Sequence, residues 1–147
     1  MDSSLIYLTQ TDTTVGFLSQ NDKKLCVVKK RDEKQKILQV VNKYSTLKKL
    51  VRIPQKYKKF IRHSKNTTII YPNTLAFRVV SSESSHQNFL QKFNTMYSTS
   101  ANKTKCQFDE VYAKHNTDIY IYTKDSFREM KSSSIYKINN VKAKKIR

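Results

Sequence analysis

Apolar positions come along this chain in short bursts separated by polar stretches. The bursts SLIYLT (4–9), KLCVV (24–28), KILQVV (36–41), TTIIY (67–71), LAFRVV (75–80), DIYIYT (118–123) and SIYKI (134–138) are rich in Ile, Val, Tyr and Thr, which predicts β-strands. Helical spacing appears between some of them. TLKKLVRI places Leu47, Leu50 and Val51 on one face, PQKYKKFIRHS opens with Pro54 and gathers Tyr57, Phe60 and Ile61, and SSHQNFLQKFN gathers Phe89, Leu90 and Phe93. FDEVYAKHN is a fourth, weaker pattern, and residues 35–44 fit either type, because Ile37, Val40, Val41 and Tyr44 also share a helical face. Strands interleaved with helices predict an α/β fold with a mixed sheet covered by helices. No repeat, linker or second composition divides the sequence, so residues 1–147 read as a single domain.

Composition supports a packed core: the 37% hydrophobic content includes 9 Tyr and 7 Phe. No apolar run approaches the roughly 20 residues that span a bilayer. The start MDSSLIYLTQ lacks the basic and long apolar regions of a signal peptide. A cytoplasmic location with no membrane partner is the expectation. Cys26 and Cys106 lie far apart, with no His or Cys at metal-ligand spacing, and read as buried free thiols. His63, His86 and His115 fall in no motif and read as surface residues.

Charge changes the picture more. With 29 Lys and Arg against 11 Asp and Glu, the chain carries +18 and attracts polyanions. Most of the cations are lysines, alongside many Asn, Ile and Ser, so two readings stay open: an RNA partner, or a nucleotide bias in the genome. The interleaved aromatic and basic signature of a sequence-specific RNA module is absent.

The single glycine excludes a Walker-type phosphate loop and the dinucleotide fingerprint, so any nucleotide must be held by side chains. Two hydroxyl-rich runs stand out: TQTDTTVGF, which contains Gly16 and follows the first predicted strand, and Ser98 to Asn102, which follow the apolar pair Met96 and Tyr97. Polar mouths at strand ends are where open α/β sheets bind ligands.

The segments TQTDTTVGF, KKRDEKQKI, NTTIIYPNTLAFRVV, MYSTSANKT and SSSIYKI, with a closing KKIR, stand in an order and character that resembles the YrdC/TsaC family of threonylcarbamoyl-AMP synthases. The resemblance implies the YrdC-like fold, a twisted mixed sheet with flanking helices and a concave basic cavity. It also implies an ATP-dependent condensation: L-threonine and bicarbonate give a carbamate that attacks the α-phosphate of ATP, releases pyrophosphate and leaves threonylcarbamoyl-AMP. A tRNA threonylcarbamoyl-transferase complex would then pass the group to tRNA.

By the family's motifs, Lys29 and Arg31 match a Lys-x-Arg element and would be catalytic through phosphate charge. Ser100 and Asn102 match the signature's Ser-x-Asn half and would bind ATP phosphates. Arg78 and Ser133 match nucleotide or threonine contacts, and Thr11, Asp12 and Thr13 match the threonine side. Magnesium would bridge the phosphates with few protein ligands, and no residue of the chain is assigned to it. The sequence departs from the family at Gln10 (for Pro), at Asp12 (for Glu), after Arg31 (no Pro), after the SAN signature (no Gly), and in a short stretch from Gly16 to Lys29. A YrdC-like protein that binds a nucleotide, double-stranded RNA or tRNA without catalysis is the alternative, as is a non-catalytic subunit of a tRNA-modifying complex.

Overall fold

The computed structural model describes residues 1–104, 106–122 and 127–147. Strands β1 (Tyr7–Gln10) and β2 (Val15–Ser19) form a hairpin, followed by helix α1 (Asp22–Lys29), strand β3 (Leu38–Val41) and helix α2 (Tyr44–Leu50). A single 3-10 turn (Gln55–Tyr57) runs into α3 (Lys58–His63). Then come β4 (Thr67–Ile70), β5 (Ala76–Val79), α4 (Ser85–Leu90), β6 (Thr95–Ser100), α5 (Glu110–His115), β7 (Ile119–Ile121), β8 (Ser134–Ile138) and β9 (Ala143–Lys145). Thr123, the last residue of the strand predicted over 118–123, lies outside the described residues.

Among the described residues all strands join one mixed sheet in the order β7-β1-β2-β6-β3-β5-β4-β8-β9. The pairs β1/β7, β3/β5 and β4/β8 are parallel and the others antiparallel. Within residues 35–44 the strand is Leu38–Val41, of which Gln39, Val40 and Val41 pair on both sides, with β5 and β6, while Tyr44 opens α2. No helix among the described residues is long and apolar enough to cross a membrane.

The predicted strand over 24–28 is instead part of α1. The Asn21 side chain accepts a hydrogen bond from the Lys24 N–H at 3.2 Å, Asp22 sits in the first turn, and Lys30 ends the helix in the left-handed conformation. Leu25, Cys26 and Lys29 face inward while Val27 is 72% exposed, which is helical spacing. Because the buried stripe ends on a lysine, its period is hidden in the sequence. Cys106 also departs from expectation: it is exposed, and only Cys26 is buried.

Alternation along the strands sends neighbours to opposite faces. On one face Leu8, Val15 and Phe17 pack with Leu25 and Cys26 of α1 and Ala113 of α5, and farther along Val41, Ile69, Phe77 and Ile138 pack with Leu47 of α2 and Ile61 of α3. On the other face Tyr7, Leu18, Val40 and Met96 pack under α4 through Phe89, Leu90 and Phe93. The Tyr7 ring lies 5.3 Å from Phe89 and 5.5 Å from Phe93. The α4 cluster fills one end of its face. Strand register puts Thr9, Gly16, Ser98, Ser100, Arg78 and Thr68 on the rest of it.

Candidate functional site

The hydroxyl-rich run Ser98–Asn102 is the end of β6 and the residues just beyond it. Gly16 of β2 is paired directly with Ser100. A Cβ at Gly16 would lie 3.0 Å from Thr11 Cγ2 and 3.2 Å from the Thr99 carbonyl oxygen, so glycine here lets the β1–β2 turn close down on β6.

At that end Lys29, on the last turn of α1, is buried and its ammonium is turned onto β6. It donates to the Ser100 carbonyl at 2.9 Å, to Asn102 Oδ1 at 3.2 Å and to the Asn102 carbonyl. The Ser100 hydroxyl donates to Asn102 Oδ1 at 2.6 Å, and Asn102 Nδ2 donates to the Cys106 carbonyl at 2.6 Å. Burial, reinforced by the nearby Arg31 guanidinium, pushes the Lys29 ammonium down to about 8. Arg31 itself is exposed just past α1, its backbone N–H bonded to the Cys26 carbonyl. Three of the four residues matched to phosphate binding near α1 and β6 are therefore interlocked, and the fourth stands close enough to act on their charge.

A second group forms where the β1–β2 turn leans over the sheet. Thr11 closes the turn, its hydroxyl donating to the Thr14 carbonyl at 2.6 Å. Arg78 on β5, 4% exposed, reaches the turn and donates from Nη1 to the Thr13 hydroxyl at 3.0 Å. Its Nε has no hydrogen-bond partner among the described residues, a buried donor left available on the polar face. Asp12 Oδ2 accepts from the Ser81 N–H at 2.8 Å, and its other oxygen lies 3.6 Å from His86 Nδ1. Burial by itself would raise the Asp12 carboxyl, but His86 and the Ser81 N–H outweigh it and hold it below its usual range. Asp12 thus latches the turn to the end of β5 and to α4.

Ser133, just before β8, extends this group. Its hydroxyl lies 3.0 Å from that of Thr68 on β4, the strand beside Arg78, and Arg147 Nε donates to its carbonyl at 3.0 Å. Arg147 lies close enough to bear on the charge of Arg78.

Sequence reasoning gave no role to Arg147, Thr68 or His86. His86 corrects the surface reading: it is 1% exposed, inside α4. Its spacing to Phe89, Leu90 and Phe93 is the helical stripe that could have shown this. A cleft of about 770 Å³ opens beside the turn, lined by Thr11, Asp12, Ser81 and His86 together with Glu83, Lys65 and others, so acids and bases share its wall.

No family model and no curated protein matches the sequence. Solved structures do match its shape. P. abyssi Sua5 complexed with L-threonine superposes with a TM-score of 0.75 at 13% identity, covering 98% of this chain and 50% of that one. E. coli YciO gives 0.77 at 13% identity, covering 98% of this chain and 82% of that one. Full-length HypF in its phosphate- and nucleotide-bound form gives 0.71 at 13% identity, covering 98% of this chain and 27% of that one. The chain spans about half the length of the Sua5 structure. Sheet order, helix placement and these superpositions together give one structural assignment: the chain has the YrdC/Sua5-like fold.

Proposed function

We propose that this chain binds ATP and L-threonine on the polar part of the α4 face and joins them with bicarbonate into threonylcarbamoyl-AMP. The observation that carries the reading is the pairing of motif residues far apart in sequence: Lys29 with Ser100 and Asn102, and Arg78 with Thr13. Support of a coarser kind comes from the neighbours, one of which holds L-threonine and another phosphate and nucleotide.

In this reading the threonine amine and bicarbonate give the carbamate and water. A carbamate oxygen then attacks the α-phosphorus as the bond to the bridging oxygen breaks and pyrophosphate leaves. Lys29 and Arg31 offset the charge that grows on the leaving group, while Ser100 and Asn102 orient phosphate oxygens. Lys29 begins with its donors on Ser100 and Asn102, which hold the ammonium in place, and exchanges some of them for phosphate.

Arg78, with its unpaired Nε, and Ser133 supply donors for a carboxylate or phosphate, beside the Thr11–Thr13 turn that Asp12 holds in place. Magnesium would come with the nucleotide substrate and supply further offset of the phosphate charge. Among the described residues no three His, Cys, Asp or Glu gather into a cage for it. Transfer of the product to tRNA falls to a partner complex.

Calorimetric titration tests the binding half of the reading. Wild type is expected to bind both ATP and L-threonine, and Arg78→Met to lose threonine affinity by tenfold or more. Binding of ATP with no threonine uptake would favour the non-catalytic nucleotide-binding alternative.

A further inference from the structure

The candidate site is held by two groups of contacts that share no residue. One is the lock of Lys29 with Ser100 and Asn102, between α1 and β6. The other runs from α4 through the β1–β2 turn to β5: His86 stands against Asp12, and the next residue of the turn, Thr13, accepts from Arg78 Nη1 at 3.0 Å.

His86 is the odd member of α4. It lies three, four and seven positions before Phe89, Leu90 and Phe93, on the inward stripe of the helix, where an apolar side chain would continue the packing. Instead a polar ring is buried there with neither nitrogen in a hydrogen bond among the described residues, an arrangement that costs stability. Its Nδ1 stands 3.6 Å from Asp12 Oδ1, an oxygen that likewise has no hydrogen bond among the described residues. Between two buried groups an electrostatic contact at this separation is only weakly screened.

Asp12 is placed to pass the contact on. Its other oxygen takes the Ser81 N–H at 2.8 Å, just past the end of β5. The Ser81 carbonyl accepts from the Ser84 hydroxyl at 3.0 Å, and Ser84 caps α4 by accepting from the Gln87 N–H. Helix start, strand end and turn therefore meet at one carboxylate, and Asp12, Ser81, Ser84 and His86 all line the cleft of about 770 Å³ beside the turn. Because Asp12 and Thr13 are consecutive, a shift of Asp12 moves the hydroxyl on which the Arg78 guanidinium rests.

We propose that His86 is a positioning residue for the amino-acid half of the site: acting through Asp12, it fixes the β1–β2 turn and with it the Arg78 guanidinium that meets the ligand's carboxylate. The inference rests on the threonine reading of that half, and it leaves the nucleotide half at Lys29 independent. Positioning and packing can be told apart at this residue. Asparagine reproduces the Nδ1 donor through its Nδ2 but not the bulk of the ring, whereas leucine supplies apolar bulk without a donor.

Calorimetric titration and amide hydrogen exchange on three variants test it. His86→Leu is expected to lower L-threonine affinity by about tenfold or more, to keep ATP affinity within about twofold of wild type, and to speed exchange at the Ser81 amide about tenfold. His86→Asn is expected to stay within about threefold of wild type in both threonine affinity and Ser81 protection. In an Asp12→Asn background, His86→Leu is expected to add less than about twofold to either loss, because the ring acts through the carboxylate. A packing role gives the reverse order, with leucine tolerated and asparagine damaging, and that order overturns the proposal. Equal losses for ATP and threonine, or additive losses in the double variant, overturn it as well. If wild type takes up no L-threonine, the synthase reading fails on that result alone. Ser81 exchange in the unliganded proteins then decides the positioning role: faster exchange in His86→Leu than in wild type and His86→Asn supports it, and equal exchange in all three overturns it.

Discussion

The Lys29 ammonium lies 2.9 Å from the carbonyl oxygen of Ser100, a residue 71 positions away. That bond joins the end of α1 to the end of β6 and brings a cation out of solvent beside two polar side chains matched to phosphate binding. Its surroundings hold the amine down to about 8, so its charge responds to pH near that value.

A pH dependence follows. Nucleotide affinity of the wild type is expected to fall as pH rises through about 8, because the neutral amine no longer pairs with phosphate. Lys29→Arg should remove that fall. Stability should move the other way. The folded chain releases this proton near 8 and the unfolded chain near 10.5, so stability rises with pH between those values. Binding titrations and melts across pH 7 to 10, with Lys29→Met as the flat reference for stability, check both signs.

Ser100 and Asn102 should separate binding from folding. Ser100→Val keeps strand propensity and removes one hydroxyl, so its melting temperature should stay near wild type while ATP affinity drops about tenfold, the loss of roughly 1.5 kcal/mol. Asn102→Leu should lose affinity and also cost about 1 to 3 kcal/mol of stability, since it strips an acceptor from Lys29 and the donor to the Cys106 carbonyl. Calorimetric titration beside thermal melts distinguishes the two profiles.

Legibility in the sequence tracked how each element is buried. Strands β4, β5 and β8 have apolar bursts and sit within the segments that predict them. Strand β2 has no alternation to read, because all five residues of VGFLS are buried. Strand β9 gives no apolar signal, as Ala143, Lys144 and Lys145 are all exposed. The motif residues were matched through the family resemblance, and their partners in the fold were not legible. That Lys29 would be buried against Ser100, or that Asp12 would bond to Ser81 and lie against His86, depends on contacts across many tens of residues, which local patterns do not encode.

Gly16→Ala tests the close approach of turn and strand. The added methyl meets Thr11 Cγ2 at 3.0 Å and the Thr99 carbonyl at 3.2 Å, and Thr11 is held by its bond to Thr14. A destabilisation of about 1 to 3 kcal/mol is expected in urea unfolding, with threonine binding weakened alongside it.

Thr74 tests backbone strain away from the site. It is a β-branched residue at φ 67 in the β4–β5 turn, where its N–H donates to the Tyr71 carbonyl at 2.8 Å. Thr74→Asn should stabilise the protein by about 1 kcal/mol, visible as a higher urea midpoint with ATP affinity unchanged.

Pyrophosphate release reports the proposed condensation itself. Purified protein with magnesium is incubated with ATP alone, then with L-threonine or bicarbonate singly, then with both. Release is expected only when all three substrates are present, and Arg31→Ala is expected to lower it by about 30-fold or more, the removal of roughly 2 to 4 kcal/mol of transition-state stabilisation, while Lys144→Ala retains it. Release that does not depend on threonine, or none at all from protein that binds ATP, would contradict it.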